Sequence, residues 1–323
     1  MPAGWKLEET KAHDIRLLAP DGRKALLAPI RRKALAPKDS SSLAWPSDRL
    51  PLVLAPFLSE RTREVLAGNG ISYADGTGNV RLAVSSPAVF IETVGADRNP
   101  KRVPRSLQSL RGAAAGRVVR ALCEFRPPFG IRTLAEASGT PLGTVSRVVG
   151  LLEEEALLTR DAHRQVVTVD WASLLARWAK DYGVSTTNSV MTCLDPRGLA
   201  HLWPKLSRLK RYAATGSVAG PGIAPTRLAM LYVDDAHAAA KTLDLVPADA
   251  GANVFLIEPF DDVVFERTRT ARVAGAGGET TVTATALPQT VVDLLTSPGR
   301  GPNEADALVQ QMKERLDDWR LTL

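Results

Sequence analysis

Between residues 110 and 170 the hydrophobic positions change period in a fixed order. The stretch 110–125 places Ala114, Val118, Val119 and Leu122 at helical spacing, with Arg111, Arg117 and Arg120 on its polar face. In Ile131-Arg132-Thr133-Leu134-Ala135-Glu136-Ala137-Ser138-Gly139 the apolar residues again repeat as in a helix, and the run stops at a glycine, which predicts a short helix and a turn. Thr140 then offers a hydroxyl to the free amides of a new helix, and Pro141 suits its first position, where a missing N–H costs no bond. In 142–155, Val145, Val148, Val149 and Leu152 recur at i, i+3, i+4 and i+7. Two β-like runs follow, 156–160 and 165–169, joined by Asp161-Ala162-His163-Arg164.

Helix, helix, glycine turn, helix and hairpin is the order of a winged helix-turn-helix, whose second paired helix enters the major groove. The polar side of that helix begins with Thr144, Ser146 and Arg147, where the positive end of the helix dipole and unpaired amides favour phosphate. Arg147 and Thr144 are therefore the expected base contacts, with Arg132, Thr133 and Ser146 on phosphates and His163 and Arg164 in the wing. An ordinary helical bundle can produce the same apolar spacing. The ordered cap, turn, polar-faced helix and basic hairpin favour the DNA reading.

Elsewhere the pattern alternates between strands and helices. Residues 15–19 and 25–28 read as strands around a Pro-Asp-Gly turn, 37–42 as a loop, and 52–56 as a short buried strand. Ser59 caps a helix that turns Thr62, Val65 and Leu66 inward and ends at 68–70; strands follow at 71–75, 80–84 and 89–94, with a turn at 76–79. A Pro- and Arg-rich linker spans 95–105. Trp171, Leu174, Leu175 and Trp178 place a packing helix over 171–182. Further on, strands are expected at 191–194, 228–233 and 254–257, and helices at 197–209, 234–243, 287–296 and 302–320. The whole predicts an α+β protein: an N-terminal α/β domain over 1–100, the winged helix-turn-helix over 101–182, and a C-terminal α/β domain over 183–323 for dimerisation, sensing or partner contact.

Charge sharpens this division. Residues 1–100 carry 14 Lys and Arg against 11 Asp and Glu, residues 101–180 carry 13 against 7, and residues 181–323 carry 14 against 17. The middle segment alone matches the chain's net +6. A localised positive field attracts a polyanion through counterion release, so double-stranded DNA is the expected partner. Arginine dominates over lysine there, which suits planar contacts to phosphate and guanine, although GC-rich coding produces the same bias. With 323 residues and 45% hydrophobic content the chain can bury two or three cores. Cys123 and Cys193 are far apart and have no histidines at ligand spacing, so neither a disulfide framework nor a zinc site is indicated. No signal-like or membrane-spanning apolar run is present, which points to a cytoplasmic protein.

Several stretches resemble the AbiE-type antitoxin-like transcriptional regulators of bacteria. They are Tyr212 to Ala219, Leu231 to Asp235, Gly251 to Asp261 and Gln289 to Gly301, with Gly70 to Asp75 and Gly78-Asn79-Val80 in the first domain. The resemblance implies a winged helix-turn-helix joined to a C-terminal α/β domain, transcription control, and in some settings autoregulation of a toxin operon. A homodimer and a protein partner bound through the C-terminal domain are part of that expectation.

Enzyme readings rank lower. Asp75 on one predicted strand and Glu92 on another, 17 residues further on, invite comparison with the restriction-endonuclease-like fold, in which two carboxylates hold a hard cation and a lysine two residues after the glutamate assists the attacking water. Here that lysine position is Val94, which suggests a degenerate site. Asp234-Asp235 and Asp261-Asp262 fit turns or caps, because neighbours on a strand face opposite ways. The glycines of 215–222 lack phosphate-loop spacing, and His13, His163, His201 and His237 form no catalytic arrangement. No catalytic residue, metal ligand or cofactor is assigned. The alternatives carried forward are a metal-dependent nuclease and an antitoxin-type protein-binding module.

Overall fold

The computed structural model describes residues 2–40, 42–97, 99–100, 109–224, 227–315 and 319–323, and they form an α+β fold. The chain divides into two compact units, Met1–Leu107 with Gly150–Ala156, and Gln108–Val149 with Leu157–Leu323. Most of the basic linker expected at 95–105 lies outside the described residues.

The first unit contains β1 (Lys6–Glu9), β2 (Ile15–Leu18), β3 (Lys24–Arg31), α1 (Pro37–Ser40), β4 (Leu50–Ala55), α2 (Glu60–Gly68), β5 (Ser72–Asp75), β6 (Val80–Ser85) and β7 (Ala88–Thr93). Among the described residues the strands form one sheet in chain order. The β3–β4 and β4–β5 pairs are parallel, because the connections carrying α1 and α2 are long enough to bring the chain back to the same end. Strand alternation separates two cores. Leu17, Leu27, Leu52 and Leu82 cluster apart from Val53, Leu58, Leu66 and Tyr73. The Ser59 hydroxyl accepts from the Thr62 amide at 3.2 Å and caps α2, which turns Thr62 and Leu66 fully inward and leaves Val65 half-buried. Where a loop was expected at 37–42, Pro37 starts a one-turn helix: the Ala36 carbonyl accepts the Asp39 amide at 3.1 Å and the Ser40 hydroxyl at 3.3 Å.

In the second unit α3 (Ala113–Glu124), α4 (Ile131–Ser138), α5 (Leu142–Glu154), β8 (Leu158–Arg160), β9 (Val166–Val169) and α6 (Trp171–Ala179) follow one another closely, the end of α5 being grouped with the first unit. Then come α7 (Val184–Thr187), β10 (Ser189–Leu194), α8 (Leu199–Leu202), β11 (Tyr212–Thr215), β12 (Ala229–Val233), α9 (Ala236–Thr242), β13 (Val246–Pro247), β14 (Val254–Glu258), β15 (Arg269–Gly275), β16 (Gly278–Ala284), α10 (Leu287–Leu295) and α11 (Gly301–Glu314). The second sheet is ordered β13-β10-β14-β12-β11-β16-β15 and is mixed, with β12–β14 and β11–β16 parallel. Every residue of β12 is buried, as expected of a central strand covered on both faces. The helix expected over 197–209 breaks after Leu202 into a tighter turn, Trp203–Arg208, in which Pro204 has no N–H to donate.

Two polar clusters tie α3 and α6 to this sheet. Arg120, expected on a solvated face of α3, is fully buried: it donates to Glu124 at 2.6 Å, and Glu124 is also bound by Arg267. Arg117 reaches Asp261 at 2.9 Å. Just beyond α6, the Tyr182 hydroxyl donates to Asp293 at 2.8 Å; Thr215, Tyr232 and Gln289 donate to the same carboxylate at 2.6, 3.0 and 2.9 Å. Complete burial outweighs these hydrogen bonds and pushes the Asp293 pKa up to about 6.

Candidate nucleic-acid interface

The α4–α5 turn is short because Gly139 closes α4 in the left-handed region, at φ 57°. Its amide and that of Thr140 return to the Glu136 and Ala135 carbonyls at 3.2 and 3.0 Å, satisfying the last turn. Thr140 does not cap α5 as its sequence position suggested. Its buried hydroxyl donates instead to the Ser138 carbonyl at 3.1 Å, and α5 opens at Leu142 with the Pro141 carbonyl accepting from Thr144 and Val145. The first amides of α5, at Leu142 and Gly143, therefore have no acceptor among the described residues. Unpaired amides are expected at this end of the helix; the difference is that Thr140, expected to cap one of them, turns its hydroxyl to Ser138 instead.

Burial of Val145, Val148, Val149 and Leu152 fixes the rotation of α5. Ser146 and Arg147 are consequently exposed and Thr144 is half-buried. Arg147 folds back along its own helix, donating to the Thr144 hydroxyl at 3.0 Å and the Gly143 carbonyl at 3.3 Å, and it meets no carboxylate among the described residues. At helical spacing the exposed Gly143 and the half-buried Gly150 lie at i−4 and i+3 from Arg147, and neither places a side chain beside it. Arg132 and Thr133 are exposed in the first turn of α4.

The β8–β9 hairpin gains a third short partner. Phe129, just before α4, exchanges both backbone hydrogen bonds with Val166 at 3.2 and 3.0 Å. The hairpin turn is held by Asp161, whose carboxylate accepts the His163 and Gln165 amides at 2.9 Å each. That arrangement leaves the His163 and Arg164 side chains exposed, with Arg164 in the left-handed region at φ 63°.

Ion pairing redistributes the charge read from the sequence. Arg117, Arg120 and Arg177 are held by Asp261, Glu124 and Asp181. Arg132, Arg147 and Arg164 remain exposed, and among the described residues none of them pairs with an acid. Among the described residues these three add to the exposed Arg111, whose nearest carboxylate, Asp181, is 3.8 Å away.

In the first unit, the two carboxylates compared with nuclease ligands have separate engagements. Asp75 accepts from the Leu58, Thr77 and Asn79 amides, the Thr77 hydroxyl and the Asn79 side chain, at 2.7 to 3.1 Å. Burial would raise its pKa, but these donors outweigh it and hold the carboxyl below its usual range. Glu92, half-exposed, pairs with Arg81 at 3.2 Å across the β6–β7 ladder. Among the described residues no three His, Cys, Asp or Glu side chains are placed to hold one metal ion, and no helix is long and apolar enough to cross a membrane.

Comparison with protein-family models, curated proteins and solved structures returns no match for this chain.

Proposed function

We propose that the chain is a sequence-specific double-stranded DNA-binding regulator in which α3 to α6 and the β8–β9 hairpin act as a winged helix-turn-helix. The observation that carries this reading is Arg147 in the first half of α5, exposed and without an acidic partner among the described residues, with Gly143 at i−4 and Gly150 at i+3 and with two amides at the helix start that have no acceptor among the described residues. The amides and the helix dipole suit a phosphate, and the exposed Gly143 lets the backbone approach a groove wall. Arg147 then reaches a guanine edge, with Thr144 beside it. Arg132, Thr133 and Ser146 fix the register on the backbone, and His163 and Arg164 extend the hairpin to the neighbouring groove or strand. The AbiE-type resemblance supports the same assignment and gives the C-terminal sheet the role of self-association, sensing or partner contact.

The test is affinity of the full chain for duplexes recovered by genome-wide mapping, compared with random duplex, across a salt series. The reading requires log K to fall linearly with log salt and recovered sites to bind more tightly than random DNA. Absence of salt-sensitive affinity for any duplex rejects it.

A further inference from the structure

A cavity of about 300 Å3 opens in the second unit beside β15 and the helices α10 and α11. Its walls include Leu287, Leu308, Met312, Trp319 and Leu321. Two arginines interrupt this apolar lining. Arg269 has its Nε and Nη2 shut off from solvent with no acceptor among the described residues, and Nη2 of Arg267 is in the same condition. The rest of Arg267 is engaged, with Nε on Glu124 and Nη1 on Glu266. Arg269 makes no ion pair at all among the described residues.

A buried cation without a counter-charge is costly, and proteins ordinarily supply a partner. Burial alone pulls the Arg269 pKa down to about 10, which still leaves the guanidinium charged at neutral pH. The cavity thus offers a fixed positive charge with unused donors, set in hydrocarbon. Its volume is at the small end of ligand sites, which limits the occupant to a compact molecule. Glu124, also on the wall, is neutralised by Arg120 and Arg267, and a monoanion disturbs it less than a dianion does.

We propose that this cavity binds a small organic monocarboxylate with an apolar body. The carboxylate meets Arg269 and the free Nη2 of Arg267, a fork geometry that arginine matches well, and the hydrocarbon part packs against Leu308, Met312 and Trp319. The assignment does not depend on DNA binding. It adjoins the end of α3, because Leu321 on the cavity wall exchanges backbone hydrogen bonds with Glu124 and Arg126 at 2.7 and 2.8 Å.

The experiment is calorimetric titration and thermal denaturation of the full chain without DNA, using octanoate and phenylacetate, their neutral amides, and phenyl phosphate. Saturable binding and a raised Tm are expected with at least one of the two acids, at least tenfold weaker binding with its amide, and weaker binding of phenyl phosphate than of phenylacetate. The acid–amide contrast is read on the parent chain, so it needs no variant to fold. Arg269→Met is expected to keep or raise the Tm, since it removes a half-buried charge whose Nε and Nη2 have no partner among the described residues, and to lose the acid binding tenfold or more. Equal binding of acid and amide, no binding of either acid at millimolar concentration, tighter binding of the phosphate, or undiminished acid binding by Arg269→Met overturns the proposal.

Discussion

Arg120 donates to Glu124 at 2.6 Å across one turn of α3, and neither side chain is more than 4% exposed. Glu124 also receives Arg267, so two guanidiniums share one carboxylate, and Arg267 has Glu266 as a second partner. Glu124→Gln keeps the shape and removes the charge, stranding a buried cation. It is expected to cost about 3 to 5 kcal/mol, measured by urea unfolding. Replacing both partners, Arg120→Met with Glu124→Leu, should recover most of that loss. A cost below about 1 kcal/mol for the single change would mean that the Val263 and Glu266 carbonyls, which Arg120 also reaches, already suffice.

Gly143 and Gly150 separate structural from functional uses of glycine. Neither has a positive φ, both lie within α5, and a Cβ added at either position meets open space. Gly150→Ala is therefore expected to stabilise the chain by about 0.5 to 1 kcal/mol through backbone entropy. Gly143→Ala should not destabilise, yet should weaken duplex binding if the start of α5 approaches the DNA backbone. Thermal unfolding and duplex affinity measured on both variants decide this, and unchanged affinity in Gly143→Ala would remove the close approach.

The parts of the fold that were legible in the sequence are those with a local cause. The valine stripe of α5, Ser59 at the start of α2 and Gly139 after α4 each act within one turn of chain, and each took the expected place. Strands β1, β11, β15 and β16 were not foreseen. All four residues of β1 are exposed, and in β15–β16 the inward positions Ala271, Val273, Val282 and Ala284 alternate with Thr and Arg but are few and small, so neither gives a strong half-buried strand pattern. The destination of Arg120 was hidden for a different reason. Helical spacing gives its direction on α3 but not that the segment 263–267 covers that direction. The Arg269 cavity could not be read at all, since its wall combines residues near 124, 268, 287, 310 and 320. The residues proposed for the interface are local and, apart from half-buried Thr144, exposed, and could be named from spacing, whereas the cancellation of Arg117, Arg120 and Arg177 by acids required the tertiary structure.

Arg164 tests the hairpin. A non-glycine residue at φ 63° carries backbone strain, which glycine does not. Arg164→Gly is expected to leave the Tm unchanged within a degree or two, or to raise it slightly, and to reduce the steepness of log K against log salt by about 0.9 if the guanidinium touches one phosphate. Arg147→Ala should instead relax sequence preference by about 1 to 3 kcal/mol, with recovered sites losing more affinity than random duplex. If Arg147→Ala weakened both classes of DNA equally, the residue would be a phosphate contact and not a base contact.

Asp293 gives the chain a pH-dependent stability with a definite sign. Its pKa in the folded state is about 6 because of burial, against about 4 for an exposed aspartate. Between those values the folded protein holds a proton that the unfolded chain has released, so the unfolding free energy falls as pH rises through this window. Above about pH 7 the penalty is complete, at about 3 kcal/mol, and below about pH 4 it vanishes. Asp293→Asn cannot titrate and lacks this contribution, while the other carboxylates act alike in both chains. The stability of the parent relative to Asp293→Asn is therefore expected to decline by about 3 kcal/mol between pH 4 and pH 7, read by urea unfolding of both at several pH values. A difference that stays constant with pH would mean that the four donors around Asp293 stabilise the carboxylate enough to cancel its burial.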